Sequence, residues 1–102
     1  MELDKIVGFF CRKRNIVPEV LYSRFKSLAT NSTRYQLWYY LHYTHGYSAN
    51  KLSLIFNRNR NTIFRGIRMV KHHIEIYKGY KAEYEAIIKE LEDELDCSSS
   101  NR

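Results

Sequence analysis

Apolar residues recur at helical spacing from the first residues of the chain. The first set follows an i, i+3, i+4, i+7 pattern and consists of Leu3, Ile6, Val7 and Phe10. This pattern predicts a helix over residues 2–13 with one buried face. Pro18 suits the first turn of a helix, where a missing N–H costs nothing, and predicts a short second helix over 18–22. The polar segment 23–33 has no sustained period and is interpreted as a basic loop.

Two further helices are predicted on either side of Gly46. The third, over 33–45, would begin with a hydroxyl cap and bury Trp38 together with its apolar neighbours. Glycine at the left-handed position commonly ends a helix, so Gly46 marks its end. Ser48 is then a candidate N-cap for a fourth helix over 49–56.

A fifth helix shows the strongest segregation of apolar and polar positions. Its apolar positions are spaced 4, 3, 4, 3 and are Ile63, Ile67, Val70, Ile74 and Tyr77. They predict a helix of about 17 residues that begins near Arg60. The opposite face is spaced 4, 3, 4 and consists of Asn61, Arg65, Arg68 and His72, with Thr62 and Met69 on its flank. Because no acid occurs on this helix before Glu75, the polar face is suited to an anion.

After Gly79, which breaks the pattern, a sixth helix is predicted over 80–95. Its apolar stripe consists of Tyr80, Tyr84, Ile87, Ile88, Leu91 and Leu95. We expect this stripe to cover the core, since a small chain needs that burial, although it could also form a homodimer. Residues 1–96 are then one helical domain, and 97–102 are predicted to be a disordered tail.

Composition agrees with a single helical domain. The chain has 102 residues, 44% of them apolar, with 4 Gly and 1 Pro, which is few for the turns of a β-sandwich or barrel. We therefore predict an all-α fold of five to six helices. The N-terminus lacks a signal-peptide pattern and no stretch is apolar enough for a membrane span, so a cytoplasmic location without membrane contact is expected. Cys11 and Cys97, far apart in the chain, are interpreted as reduced thiols.

Charge is distributed unevenly along the chain. The formal net charge is +6, but residues 12–71 hold 12 basic residues and one acid, whereas residues 76–102 hold 4 basic residues and 7 acids. A strongly basic block attracts polyanions, and nucleic acids are the commonest of these in cells. Polyanion binding is therefore favoured over a charged surface that only maintains solubility.

The fourth and fifth helices, over about 48–77, fit a helix-turn-helix motif. The second helix of such a motif enters the major groove of DNA with its N-terminal end. Arginine can bond guanine there, asparagine can bond adenine, and a threonine methyl group can contact the thymine methyl group. The predicted base contacts are Arg58, Asn59, Arg60, Asn61, Thr62 and Arg65.

Neighbouring polar and basic residues are candidates for holding the DNA backbone. Hydroxyl groups, basic side chains and helix N-termini are the usual phosphate ligands. The predicted phosphate contacts are Arg34, Ser48, Asn50, Lys51 and Arg68. For Ser48 and Asn50, helix capping explains the residue equally well.

These residues also carry a resemblance to a known family. Residues 3–74 resemble the C-terminal DNA-binding domain of the bacterial replication initiator DnaA, a helical domain whose helix-turn-helix is related to that of the Trp repressor. The family's signature runs approximately Phe-Gly-Gly-Arg-Asp-His-Thr-Thr-Val. Here residues 56–63 read Phe-Asn-Arg-Asn-Arg-Asn-Thr-Ile, one residue shorter. Arg58 and Thr62 match the family's arginine and second threonine, while the three residues between them differ.

The resemblance implies a fold and a way of docking on double-stranded DNA. Arg34 falls on an arginine at the start of the family's third helix, and Ser48 matches the serine before the motif. Lys26 falls near a basic loop residue that enters the minor groove in the family. Because the substitutions fall on base-contacting positions, the family's target sequence is not carried over. The chain has no Gly-rich phosphate loop, so we expect an accessory replication factor or a transcription regulator, with replication or transcription proteins as candidate partners.

Other functional classes have less support in the sequence. His42 and His45 are three residues apart on a helix and could share a metal ion. His72 and His73 are adjacent, so they point in different directions on a helix, and no acid lies near them in the sequence except Glu75. We therefore predict no metal, cofactor or catalytic site, and the chain is not expected to be an enzyme. An RNA or single-strand binding module is an alternative, because tyrosines crowd around Trp38 and could stack on bases: Tyr35, Tyr39, Tyr40, Tyr43 and Tyr47. A protein-interaction module that has lost DNA binding is a second alternative.

Overall fold

The computed structural model describes residues 2–23 and 28–100, and the regular structure in these ranges is entirely helical. The helices are α1 (Glu2–Arg14), α2 (Pro18–Tyr22), α3 (Leu28–His45), α4 (Ala49–Phe56), α5 (Arg60–Ile76) and α6 (Lys78–Ser100). The predicted all-α class is confirmed. Within the same ranges, no helix is both long enough and apolar enough to cross a bilayer.

Helix α3 lies at the centre of the fold and packs against α1, α2 and α5. Its side chains Leu37, Trp38 and Leu41 are each 1% exposed or less, as the sequence predicts. The Trp38 ring meets Phe56 of α4 edge-on, with ring centroids 6.0 Å apart. Tyr40 faces the other way and lies 6.5 Å from the Phe10 ring of α1. One hydrophobic core therefore joins both halves of the molecule through α3.

The start of α3 differs from the prediction. The helix begins at Leu28, so the second half of the predicted loop 23–33 is helical. Thr30, Thr33 and Arg34 in the first turns are buried, with at most 3% of each side chain exposed. Because these polar residues face inward, the first turns show no apolar period that would identify them as helix.

The junction between α5 and α6 also differs from the prediction. One residue, Tyr77, separates the two helices, and Gly79 lies inside the first turn of α6 instead of breaking it. Tyr77 is 56% exposed and is not part of the core. The backbone of α6 is helical as far as Ser100, into the segment predicted to be a disordered tail.

Helix α6 covers the core with its apolar stripe. Tyr84 and Leu91 are buried, and the Tyr84 ring meets Tyr39 of α3 at 5.5 Å in an edge-to-face contact. Burial is the main cause that raises the pKa of Tyr84 above its usual range, so its hydroxyl stays neutral. This packing agrees with the preferred interpretation of the stripe as core, and the alternative of a homodimer through α6 is not tested by it.

Candidate nucleic-acid interface

A three-residue turn connects α4 to α5. Asn57 adopts the left-handed conformation (φ 54°, ψ 51°), and its N–H donates to the Ser53 carbonyl. The N–H of Arg58 donates to the same carbonyl at 3.0 Å, which completes a Schellman-type helix end. Asn59 then caps α5, because its Oδ1 accepts a hydrogen bond from the N–H of Asn61 at 2.7 Å. This cap engages the side-chain oxygen of Asn59, which is one of the predicted base-contacting residues.

The left-handed residue gives a first testable prediction. Replacing Asn57 with alanine should lower the free energy of unfolding by about 1 kcal/mol, because an ordinary L-residue is strained in this conformation and asparagine tolerates it better. Replacing Asn57 with glycine should leave that free energy equal or higher, since glycine has no Cβ to strain. Urea unfolding of both variants measures the difference. Equal stability of the two variants would contradict the conformation of the turn.

Helix α5 separates a buried face from an outer face. Ile63, Gly66, Ile67 and Val70 are buried. The predicted polar face, by contrast, is exposed along its whole length: Asn61, Arg65, Arg68 and His72. Thr62 is half-buried on the flank of this face. The predicted orientation of α5 is therefore confirmed.

The N-terminus of α4 lies close to the start of α5. Ser48 caps α4 by accepting the N–H of Lys51 at 3.1 Å, as the sequence predicts. The Lys51 ammonium group lies 4.8 Å from the centre of the Tyr47 ring, a cation–π contact. Asn50 Oδ1 accepts a hydrogen bond from Arg60 Nη1 at 3.3 Å. This bond places two predicted DNA contacts, Asn50 and Arg60, on one continuous exposed surface.

Arg34, predicted to hold a phosphate on the surface, is instead buried and 1% exposed. Its Nε donates to the carbonyl of Leu21 at 3.1 Å, and its Nη2 donates to the carbonyls of Val20 at 2.7 Å and Ser23 at 2.9 Å. Its Nη1 donates to Asn31 Oδ1 at 2.9 Å. The guanidinium group therefore binds backbone carbonyl groups at the C-terminal end of α2, where helix carbonyls need partners from outside the helix. The Val20 carbonyl also accepts from the N–H and the hydroxyl of Ser23. Arg34 therefore has a structural role at the end of α2, and its predicted contact with a DNA phosphate stays a prediction.

Arg58 is half-buried, and it binds a carbonyl group that Arg34 also binds. Its Nη2 donates a hydrogen bond to the Ser23 carbonyl, which also accepts from Arg34. Burial, and next the charge of Arg58, lower the pKa of Arg34 below its usual range. This hydrogen bond gives Arg58 a positioning role, and its predicted base contact stays a prediction.

The Ser23 carbonyl, which both arginines bind, belongs to the last described residue before 24–27. Arg34 of α3 and Arg58 of the turn before α5 therefore tie the end of α2 to both of these elements. Lys26 itself lies outside the described residues, and its predicted minor-groove contact stays a prediction.

The acids of α6 lie against α1. Glu94 pairs with Arg12 at 2.6 Å and Glu90 pairs with Lys13 at 2.7 Å. Arg14 donates to the side-chain carbonyl of Gln36 at 2.6 Å. The basic end of α1 thus has partners of its own within the protein. Neither Glu90 nor Glu94 forms an ion pair with a basic residue of α5 within the described ranges.

The tyrosines around Trp38 are mostly packed within the protein. Tyr40 is 1% exposed, whereas Tyr35, Tyr39 and Tyr47 are half-buried and Tyr43 is exposed. This distribution favours a core role over base stacking. Within the described ranges, no group of three or more His, Cys, Asp or Glu side chains is placed to hold a metal ion.

Gly66 is a residue whose role the sequence analysis missed. A Cβ at this position would lie 2.5 Å from Cδ1 of Tyr35 and 3.0 Å from Cε3 of Trp38. Helix α5 can approach α3 this closely only because residue 66 has no side chain. The sequence does contain a signal for this role. Glycine in the middle of a helix weakens the helix, so its presence there indicates a packing requirement.

Comparisons with known proteins give no family for this chain. It matches no protein-family model, and a search of curated proteins finds no significant match. The resemblance to the DnaA domain therefore rests on the residues quoted above.

Proposed function

We propose that this protein binds double-stranded DNA, with α4 and α5 acting as a helix-turn-helix. The observation that carries the proposal is the outer face of α5, where Asn61, Arg65 and Arg68 are exposed in one row and no acid occurs before Glu75. A solvated helix surface usually mixes both signs of charge, so a row of arginine and asparagine indicates an anionic partner. The same side chains carry the hydrogen-bonding groups that distinguish base pairs in the major groove.

In this proposal the N-terminal part of α5 enters the major groove. Arg60, Asn61, Thr62 and Arg65 contact base edges, while Arg68 and the start of α4 hold the phosphates on either side. The exposed residues at the start of α4 are Ser48, Asn50 and Lys51. Arg34 and Arg58 act indirectly, since both donate hydrogen bonds to the Ser23 carbonyl at the end of α2. The likeness to the DnaA domain favours a role in replication initiation or transcription.

The first test is binding to duplexes selected from a random-sequence pool. Log K for a selected duplex should fall with log salt concentration at about −0.9 per phosphate contact, because each neutralised phosphate releases counterions. Single-stranded RNA at equal concentration should not compete, since the proposed contacts need a major groove of B-form width. Equal competition by single-stranded RNA would instead favour the alternative of a single-strand binding module.

A second test separates base contacts from phosphate contacts. Arg60→Ala should cost about 1–3 kcal/mol of binding free energy on the selected duplex and relax the preference at one base pair, whereas Lys51→Gln should weaken all sequences alike. Lys13→Gln is the matched control, because it removes the same charge on α1, where Lys13 pairs with Glu90. Equal losses for Lys13→Gln and Lys51→Gln would show that only the net charge matters and would overturn the proposed surface.

A further inference from the structure

Two cavities adjoin between α3 and α5 and share the side chains Asn31 and Tyr35 in their walls. The first, of about 230 Å³, is lined in addition by Arg34, Arg58 and Arg65. Three arginine residues therefore line one small space. We call it the cationic cavity.

The cationic cavity is suited to a phosphate group. The acceptors of Arg34 among the described residues are all neutral, namely three carbonyl groups and an amide. These four bonds use four of the five N–H groups of a guanidinium, which leaves one Nη1 hydrogen without an acceptor among the described residues. The nearby charge of Arg58 opposes the charge of Arg34. An anion in the cavity would relieve that repulsion, and a phosphate offers more acceptor positions to several arginines than a carboxylate does.

The second cavity, of about 330 Å³, is mainly apolar. Its wall includes Met69 and Val70 of α5 and the rings of Tyr35, His73 and Tyr80. Rings of this kind prefer to pack against another aromatic ring. Ser32 also lines this cavity, and together with the shared Asn31 it offers polar groups for the edge of a heterocycle. We call it the aromatic cavity.

We propose that the two cavities form one binding site for a mononucleotide, with the phosphate in the cationic cavity and the base in the aromatic cavity. Together the cavities have the size of ordinary small-molecule sites, which combine a mostly apolar wall with a few polar groups. The site goes beyond the proposed DNA binding, because a base held in the aromatic cavity is not available to a paired duplex. A phosphate of duplex DNA offers the same chemistry to the cationic cavity alone.

Adenosine monophosphate is the probe for the complete site. Trp38 is the single tryptophan of the chain and lines the cationic cavity, so its fluorescence reports occupancy there. Titration calorimetry at fixed ionic strength should give an affinity for adenosine monophosphate at least ten-fold higher than for adenosine or inorganic phosphate, with a change in Trp38 emission. Binding of inorganic phosphate as tightly as the nucleotide, or no heat with any of the three, would overturn the proposal.

Two arginines of α5 provide a matched pair of variants. Arg65→Gln should weaken the nucleotide about ten-fold, because Arg65 lines the cationic cavity. Arg68→Gln removes the same charge from the outer face one turn away, outside both cavity walls, and should change the affinity less than two-fold. Equal losses from the two variants would mean nonspecific attraction and would overturn the site.

Met69→Ala distinguishes a free nucleotide from a backbone phosphate. Met69 lines the aromatic cavity, so its truncation should weaken adenosine monophosphate at least three-fold while leaving the affinity for a duplex unchanged. An unchanged nucleotide affinity would exclude the base from the aromatic cavity and overturn the proposal. Because the nucleotide is titrated without DNA, failure of duplex binding and failure of this site give separate results.

Discussion

Replacing Arg34 with leucine should lower the free energy of unfolding by about 3–5 kcal/mol, because the substitution removes the hydrogen bonds of a buried guanidinium group, and a single hydrogen bond to a charged group is worth about 1.5–3 kcal/mol. The carbonyls of Val20, Leu21 and Ser23 would lose the guanidinium that now binds them. Domains of this size have a total stability of about 5–15 kcal/mol, so the variant should be close to unfolding at 37 °C. Urea unfolding followed by circular dichroism measures the loss.

Arg68→Leu is the control for this experiment. Arg68 is exposed on α5, and the same substitution there should change the free energy of unfolding by no more than about 0.5 kcal/mol. Arg34→Lys keeps a positive charge but cannot reach three carbonyl groups in the fixed geometry of a guanidinium, so its stability should lie between wild type and Arg34→Leu. If Arg34→Leu were as stable as wild type and only bound DNA more weakly, the surface role first predicted for Arg34 would be right.

The periodic apolar positions were enough to predict the helices that form the candidate interface. Ile63, Ile67 and Val70 recur at the spacing that one buried helix face requires, and this fixes the outward direction of Asn61 and Arg65. Local capping chemistry likewise marked the start of α4, because the Ser48 hydroxyl reaches the backbone N–H of Lys51, three residues along the chain. Such signals depend on near neighbours in the chain and can be read without the tertiary structure.

Signals that depend on distant partners could not be read in this way. Arg34 resembles any surface arginine until the carbonyl groups of α2, 11 to 14 residues away, come to surround it. Thr30, Thr33 and Arg34 are polar but buried, so the pattern of apolar positions did not indicate that α3 begins at Leu28. Gly66 is similar, since its importance lies in the ring of Tyr35 on another helix. Residues that position the site are therefore harder to predict than residues that form its surface.

Replacing Gly66 with valine should lower the free energy of unfolding by about 3 kcal/mol, because added atoms in a tight core contact force neighbouring side chains and backbone to shift. The first added atom would already lie 2.5 Å from Tyr35 and 3.0 Å from the buried ring of Trp38. Tyr35 is half-buried and has some room to move, whereas Trp38 is enclosed by the core. The clash of the added side chain with Trp38 is therefore relieved only if α5 moves away from α3.

Gly79→Val is the matched control, since a Cβ there would meet no atom within 4 Å. Valine and glycine differ little in helix propensity, so this variant should remain within about 0.5 kcal/mol of wild type. A movement of α5 would also displace Arg65 from Arg58, which is bonded to the Ser23 carbonyl. The folded fraction of Gly66→Val, measured at low temperature, should then bind duplex DNA more weakly than Gly79→Val does. Equal stability of the two valine variants would mean that the close approach of α5 to α3 does not set the position of α5.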